Sequence, residues 1–200
     1  MKELRNIVSI EDFERLQNEL FSSQMPWYLS GTYTSTQYDD LIDIDSSKSP
    51  DFSFAHLVYM DGNIMSELYG PLSKIILEGL EKIGEEPKEL IRIKVNMCTC
   101  QPELYVNQPH VDNDETHRAG LIYINTTNAP TFLYNETFNP KFGLTPEKYL
   151  NRILNNKVTI KQKVECEANK MIVFDGKYYH ASSVQSDTYR RIVVNFNYKI

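Results

Sequence analysis

The apolar residues of this sequence switch period part-way along. Up to Gly84 they recur at helical spacing, as in Phe13, Leu16, Leu20 and Phe21. From residue 90 onward they alternate with polar residues. A period near 3.6 gives one buried stripe on a helix, and a period of 2 gives the two faces of a strand. The first helix starts at Ser9, with Asp12 three residues later to share the capping of its orphan amides, and Met25-Pro26-Trp27 ends it. The second starts at Pro71, buries Leu72, Ile75, Ile76, Leu80 and Ile83, and stops at Gly84. Residues 90–97, 120–125, 131–134, 157–165, 171–174 and 191–198 read as strands, as do 54–59 before the Asp61-Gly62 turn. Thr145-Pro146 opens one inserted helix near 145–155, residues 27–33 read as extended, and 34–51 form an acidic loop holding Asp39, Asp40, Asp43 and Asp45. Helices followed by many short strands predict a mainly β protein with supporting α-helices, with the N-terminal helices packed on one sheet of a sandwich or jelly roll.

The 200 residues fit a single domain, 1–200, with 1–53 as an N-terminal helix and strand extension and 54–198 as the core. Apolar runs of only a few residues exclude a membrane helix, and the charged N-terminus lacks the apolar stretch of a secretion signal, so a cytoplasmic protein is expected. The net charge of −6 argues against a general nucleic-acid binder. Residues 157–200 carry eight Lys/Arg against four Asp/Glu, a modest basic surface that reads as ordinary surface variation, with an anionic ligand there as the alternative. Cys98 and Cys100 share a strand face, but no second cysteine pair or nearby histidine completes a zinc site. They and Cys166 read as reduced thiols packed as small hydrophobes.

The chemistry concentrates in four histidines. His110-Val111-Asp112 puts an imidazole and a carboxylate two residues apart, on the same side of an extended backbone and close enough to hold one ion. Pro109 before it and Asn113-Asp114-Glu115-Thr116 after it place the motif at a strand-to-loop junction. His180, beyond the strand that ends at Asp175-Gly176, is the best candidate for a second imidazole. Two histidines and one carboxylate suit Fe(II), because they cover one face of the ion and leave three positions open. Arg190 and Arg191 follow, and a guanidinium fork pairs two-pronged with a carboxylate such as the far end of a chelating keto acid. His56, between Ala55 and Leu57, reads as a structural histidine. His117, in the polar loop, reads as solvent-facing, with a substrate-side role as the alternative.

These pieces together resemble the 2-oxoglutarate- and Fe(II)-dependent dioxygenases, and in particular the short prolyl-4-hydroxylase-like branch of bacteria and phages. The matching residues are His110-Val111-Asp112, Leu121 to Asn125, Val173-Phe174-Asp175-Gly176, Tyr179-His180-Ala181 and Arg191 to Phe196, with Arg92 to Asn96 as the strand ahead of the metal motif. The resemblance covers about residues 54–198. It implies a double-stranded β-helix, with His110, Asp112 and His180 as iron ligands. An arginine about ten residues past His180 would anchor 2-oxoglutarate. Arg190 and Arg191 both fit that distance but lie on opposite strand faces. The usual Arg-Ile-x-x-Asn pattern favours Arg191, with Val193 and Asn195 on its side. Asn195 is a further candidate for contact with the cosubstrate, as are Asn96 and Tyr123, for which ordinary strand packing is the simpler reading. The implied activity is hydroxylation of a C–H bond with O2, in a prolyl peptide or an amino acid, while 2-oxoglutarate is decarboxylated to succinate. Two rival readings are a jelly-roll protein that binds a metal or carboxylate without turnover, and a cupin-type metalloenzyme that does not use 2-oxoglutarate. The segment 135–156 is either a lid or an outer insertion.

Overall fold

The computed structural model describes residues 1–30 and 53–200. The acidic loop with Asp39, Asp40, Asp43 and Asp45, and the end of the extended 27–33 stretch, lie outside them. Three α-helices are present among the described residues: α1 (Ile10–Phe21), α2 (Tyr69–Lys82) and α3 (Pro146–Arg152). The Ser9 hydroxyl accepts the Asp12 amide at 3.2 Å, the cap expected from the sequence. Helix α2 starts two residues ahead of Pro71, which sits in the first turn, where its missing N–H costs nothing. Gly84, at φ +66°, closes it: Gly84 N donates to Glu81 O and Glu85 N to Leu80 O, both at 2.9 Å. For α3, Thr145 caps and Pro146 opens.

The strands are β1 (Lys2–Arg5), β2 (Tyr28–Leu29), β3 (Ser53–Met60), β4 (Asn63–Ile64), β5 (Glu89–Thr99), β6 (Tyr105–Val106), β7 (Arg118–Tyr123), β8 (Thr127–Thr137), β9 (Ile160–Cys166), β10 (Lys170–Asp175), β11 (Tyr178–Val184) and β12 (Arg190–Lys199). They form two antiparallel sheets. The larger runs β1-β10-β7-β12-β5-β3-β2, with β4 on β3, and the smaller runs β6-β11-β8-β9. Counted from β5, the eight core strands divide as first, eighth, third and sixth against second, seventh, fourth and fifth. That is the strand order of a jelly roll, or double-stranded β-helix. The N-terminal segment is built into this architecture, because β1 pairs with β10 from Lys2↔Val173 to Arg5↔Lys170.

Alternation along the large sheet sorts the layers. Ile93, Val95 and Met97 of β5 and Ile192, Val194, Phe196 and Tyr198 of β12 face α1 and α2, packing with Phe13, Leu16, Leu20, Leu72, Ile76 and Leu80. Each of these apolar groups contributes on the order of 1.5–3 kcal/mol by leaving water. Gly120 is forced by this packing: a Cβ there would lie 2.0 Å from the Phe196 ring. Leu121, Tyr123, Ile172, Phe174 and Val193 point the other way and meet Leu133, Val164 and Cys166 of the small sheet. A third cluster joins α3, through Tyr149 and Leu150, to Val111, Tyr134, Phe138, Tyr179 and Ala181. The inserted segment therefore packs on the small sheet. Its helix also reaches the cavity between the sheets, which Glu147 lines.

Candidate metal and keto-acid site

Each sheet supplies part of the site. His180 lies on β11, opposite Leu133 of β8. His110 is held beside it by reciprocal backbone bonds, His110 N to His180 O and His180 N to His110 O, both 2.9 Å. The two imidazoles stand 4.5 Å apart, centroid to centroid. Asp112, two residues on, reaches the large sheet. Its Oδ1 accepts Arg92 Nη2 at 3.0 Å, and its Oδ2 accepts Asn197 Nδ2 at 2.9 Å and Asn195 Nδ2 at 3.2 Å. Arg92 also donates to Asn195 Oδ1 at 2.9 Å, so the three supports brace one another.

This geometry fits a metal ion. One donor atom from each of His110, Asp112 and His180 lies within 4.8 Å of the others. The imidazole Nε2 atoms are 4.0 Å (His110) and 3.8 Å (His180) from the Asp112 oxygens, too long for hydrogen bonds and suited to a shared ion between them. Each Nδ1 lies near a backbone carbonyl, Gln108 O at 3.3 Å and Tyr178 O at 3.2 Å. With Nδ1–H donating there, both Nε2 lone pairs turn toward Asp112. Burial opposes charge on Asp112, but Arg92, the two imidazoles and the Asn197 amide outweigh it and hold the carboxyl well below the usual carboxylate range. Burial pushes His180 down to about 4, with His110 adding to the effect and Asp112 opposing it. A neutral imidazole and an ionised carboxylate are the ligand forms a divalent metal requires.

A cavity of about 280 Å³ opens beside these three residues, and Arg191, Asn96 and Asn195 line it. The two arginines diverge as the strand period requires. Arg190 donates to Phe21 O at 3.3 Å and stacks over the Phe21 ring on the helix side. Arg191 is buried on the inner side, where its Nη2 donates to Thr131 Oγ1 at 3.3 Å and its guanidinium stands 5.8 Å from the Tyr123 ring centroid. The Tyr123 hydroxyl donates to the same threonine at 2.9 Å, and burial raises its pKa. Of the sequence candidates, Asn195 thus braces Asp112 directly, while Tyr123 lies beneath Arg191.

Three supports escaped the sequence reading: Arg92, Asn197 and Thr131. For the first two the signal was present, since Arg92 shares a face with Asn96, and Asn197 with Arg191 and Asn195. His117 corrects the expectation of a solvent-facing residue. It is 4% exposed, and its ring lies where a Cβ on Gly176 would be, 2.3 Å from Nε2. Only glycine at 176 admits it. His56 is structural as expected, with Nδ1 at 2.8 Å from Pro26 O and Nε2 at 2.7 Å from Ser66 Oγ. Cys98 and Cys166 are buried and Cys100 exposed, so the Cys-x-Cys pair does not converge on a site.

The same fold recurs in solved structures. The non-heme alpha-ketoglutarate-dependent epimerase SnoN from nogalamycin biosynthesis superposes with a TM-score of 0.65 at 11% identity, over 98% of this chain and 76% of that one. SnoN has also been solved in complex with Fe3+, alpha-ketoglutarate and nogalamycin RO. The prolyl-4-hydroxylase of Pseudomonas putida superposes at 0.57 with 8% identity, over 100% and 92% of the two chains. A 2OG-Fe(II) oxygenase family oxidoreductase of Burkholderia pseudomallei superposes at 0.57 with 9% identity, over 98% and 82%. The chain has the 2-oxoglutarate/Fe(II) oxygenase fold. No protein-family model and no curated protein matches the sequence itself. No described helix is long and apolar enough to cross a membrane.

Proposed function

We propose that this protein is a 2-oxoglutarate- and Fe(II)-dependent oxygenase that hydroxylates a C–H bond of a prolyl peptide or an amino acid and converts 2-oxoglutarate to succinate and carbon dioxide. The observation that carries this reading is the convergence of His110, Asp112 and His180 on one point, with a buried arginine on the wall of the same cavity. The metal, when bound, supplies the coupling of keto-acid decarboxylation to oxidation of the C–H bond by O2. His110 and His180 would hold it through Nε2 and Asp112 through one carboxylate oxygen. Arg92, Asn195 and Asn197 keep that carboxylate ionised and oriented. Arg191, positioned by Thr131, would pair with the far carboxylate of 2-oxoglutarate. Leu121 and Val193 give the cavity apolar wall, which strengthens that ion pair by excluding water.

Anaerobic titration with Fe(II) and then 2-oxoglutarate tests the reading. A weak visible charge-transfer band that needs both additions is expected. It should vanish in His180→Ala and require about tenfold or more extra 2-oxoglutarate in Arg191→Ala. Tight Fe(II) binding without a band would turn the assignment to a metalloenzyme independent of keto acids. No Fe(II) binding would leave a jelly-roll binding protein.

A further inference from the structure

Once the metal and 2-oxoglutarate have claimed their partners, two charged groups on the cavity wall remain unassigned. Lys94 lies on β5, between Arg92 and Asn96 on the inner face and opposite Asn195 of β12. Glu147 comes from α3, across the cavity, on the helix that packs against the small sheet. Arg92 is bound to Asp112 and Asn195, and Asp112 to its three supports. Neither Lys94 nor Glu147 forms a hydrogen bond or ion pair with the described residues. Both are half-buried, and the two are too far apart to pair with each other. Lys94 lies within electrostatic range of Arg92 and Asp112, which act on it in opposite senses, yet no counter-charge is in contact with it; a charge held partly out of water is unfavourable without one. Two of opposite sign, on different walls of one cavity, are matched by a ligand carrying both.

We propose that the primary substrate is a free α-amino acid, its carboxylate on Lys94 and its ammonium on Glu147, so that a C–H bond beyond its α-carbon is presented toward the metal ligands. This deepens the oxygenase reading and rests on it. A prolyl residue inside a peptide has neither charge, so the pair discriminates against it: a blocked ligand would leave both groups desolvated and unpaired. The dimensions agree, since about 280 Å³ shared with 2-oxoglutarate falls at the low end of ligand pockets and leaves room for one small molecule. In the balanced reaction one oxygen atom of O2 enters the C–H bond of the amino acid. The other enters succinate, and 2-oxoglutarate loses carbon dioxide.

The experiment uses the Fe(II)-loaded protein and the twenty L-amino acids, L-proline included, each beside its N-acetyl amide. Succinate release and the product mass are followed, and anaerobic calorimetry measures binding directly. At least one free amino acid should bind, stimulate succinate formation and gain one oxygen, while its doubly blocked form does neither. Lys94→Gln and Glu147→Gln should each raise the KM and the calorimetric Kd for that amino acid about tenfold or more, with 2-oxoglutarate affinity, read from the absorption band, within about twofold of wild type. Circular dichroism verifies that both variants fold. The proposal is overturned if the band forms but no free amino acid binds, or if a blocked prolyl peptide is the better substrate. It is equally overturned if Lys94→Gln weakens 2-oxoglutarate instead, which would make Lys94 a cosubstrate group. Absence of the band altogether would sink the oxygenase reading beneath it.

Discussion

Two buried carboxylates lie on opposite sides of the large sheet, and neighbouring residues of one strand serve them. Asn197 of β12 turns inward to Asp112, and Tyr198 turns outward to Glu85. Glu85 accepts Lys2 at 2.8 Å, Arg118 at 3.0 Å and the Tyr198 hydroxyl at 2.8 Å. Asp112 also has three donors, yet two imidazole nitrogens still face it at 3.8–4.0 Å without bonding to it. The number of partners is therefore not what separates a structural acid from a candidate ligand. Glu85 is enclosed by its donors and ties β1, β7 and β12 together. Asp112 has its donors on one flank and imidazole lone pairs on the other, an arrangement that a cation would complete.

Asp112→Ala should break this contrast most severely. Metal affinity, measured by Mn(II) or anaerobic Fe(II) titration, is expected to fall by more than the ten- to hundredfold typical of losing an outer support. Glu85→Gln should leave that affinity within about twofold. Next in size is an effect of pH on the metal-free protein. His180 titrates at about 4 when folded, against its ordinary 6.5, so between those values the unfolded state binds the extra proton. Its contribution is complete above pH 6.5 and is lost as the pH falls toward 4, by about 3 kcal/mol in all. Urea unfolding at pH 7.5 and 4.5 measures the loss, and His180→Leu should show less of it. Glu85→Leu should cost about 2 kcal/mol of stability by denaturant unfolding, less than a fully buried pair because Lys2 can return to water. The smallest effect separates two neighbours on one strand: Asn197→Ala should weaken metal binding about tenfold, while Tyr198→Phe leaves it unchanged and loosens only the Glu85 cluster.

Strands β5 and β12 were legible by alternation, because their outer face packs on the helices while their inner face carries Arg92, Lys94, Asn96, Arg191 and Asn195. Their outer face reads as Ile93, Val95, Met97 and Ile192, Val194, Phe196. Strands β7 and β10, apolar on both faces, were legible as short apolar runs. Strand β11 was not legible, although it carries His180. Its Tyr-Tyr-His-Ala-Ser-Ser-Val run has no clean period, and it is a strand because β8 and the 105–110 segment pair with it from far away. Strand β1 is four residues long and depends on β10. Residues 120–125 read as one strand, whereas the ladder stops at Tyr123. Asn125 then substitutes its amide group for backbone, donating to Arg190 O and accepting Ile192 N. Glu85 gave no signal, because three partners scattered along the sequence define it. The candidate metal motif His110-Val111-Asp112 was visible through local spacing, and its supports were visible only as polar residues sharing a parity on otherwise apolar strands.

The place of β1 also bears on handling the protein. By pairing with β10 it covers what would otherwise be a bare row of backbone donors and acceptors beside Met171, Ile172 and Val173, the kind of template on which a second molecule can align. Clipping the first five residues would open that row and withdraw Lys2 from Glu85. Preparations lacking them should self-associate as their concentration rises, which light scattering would register before any change in the metal site.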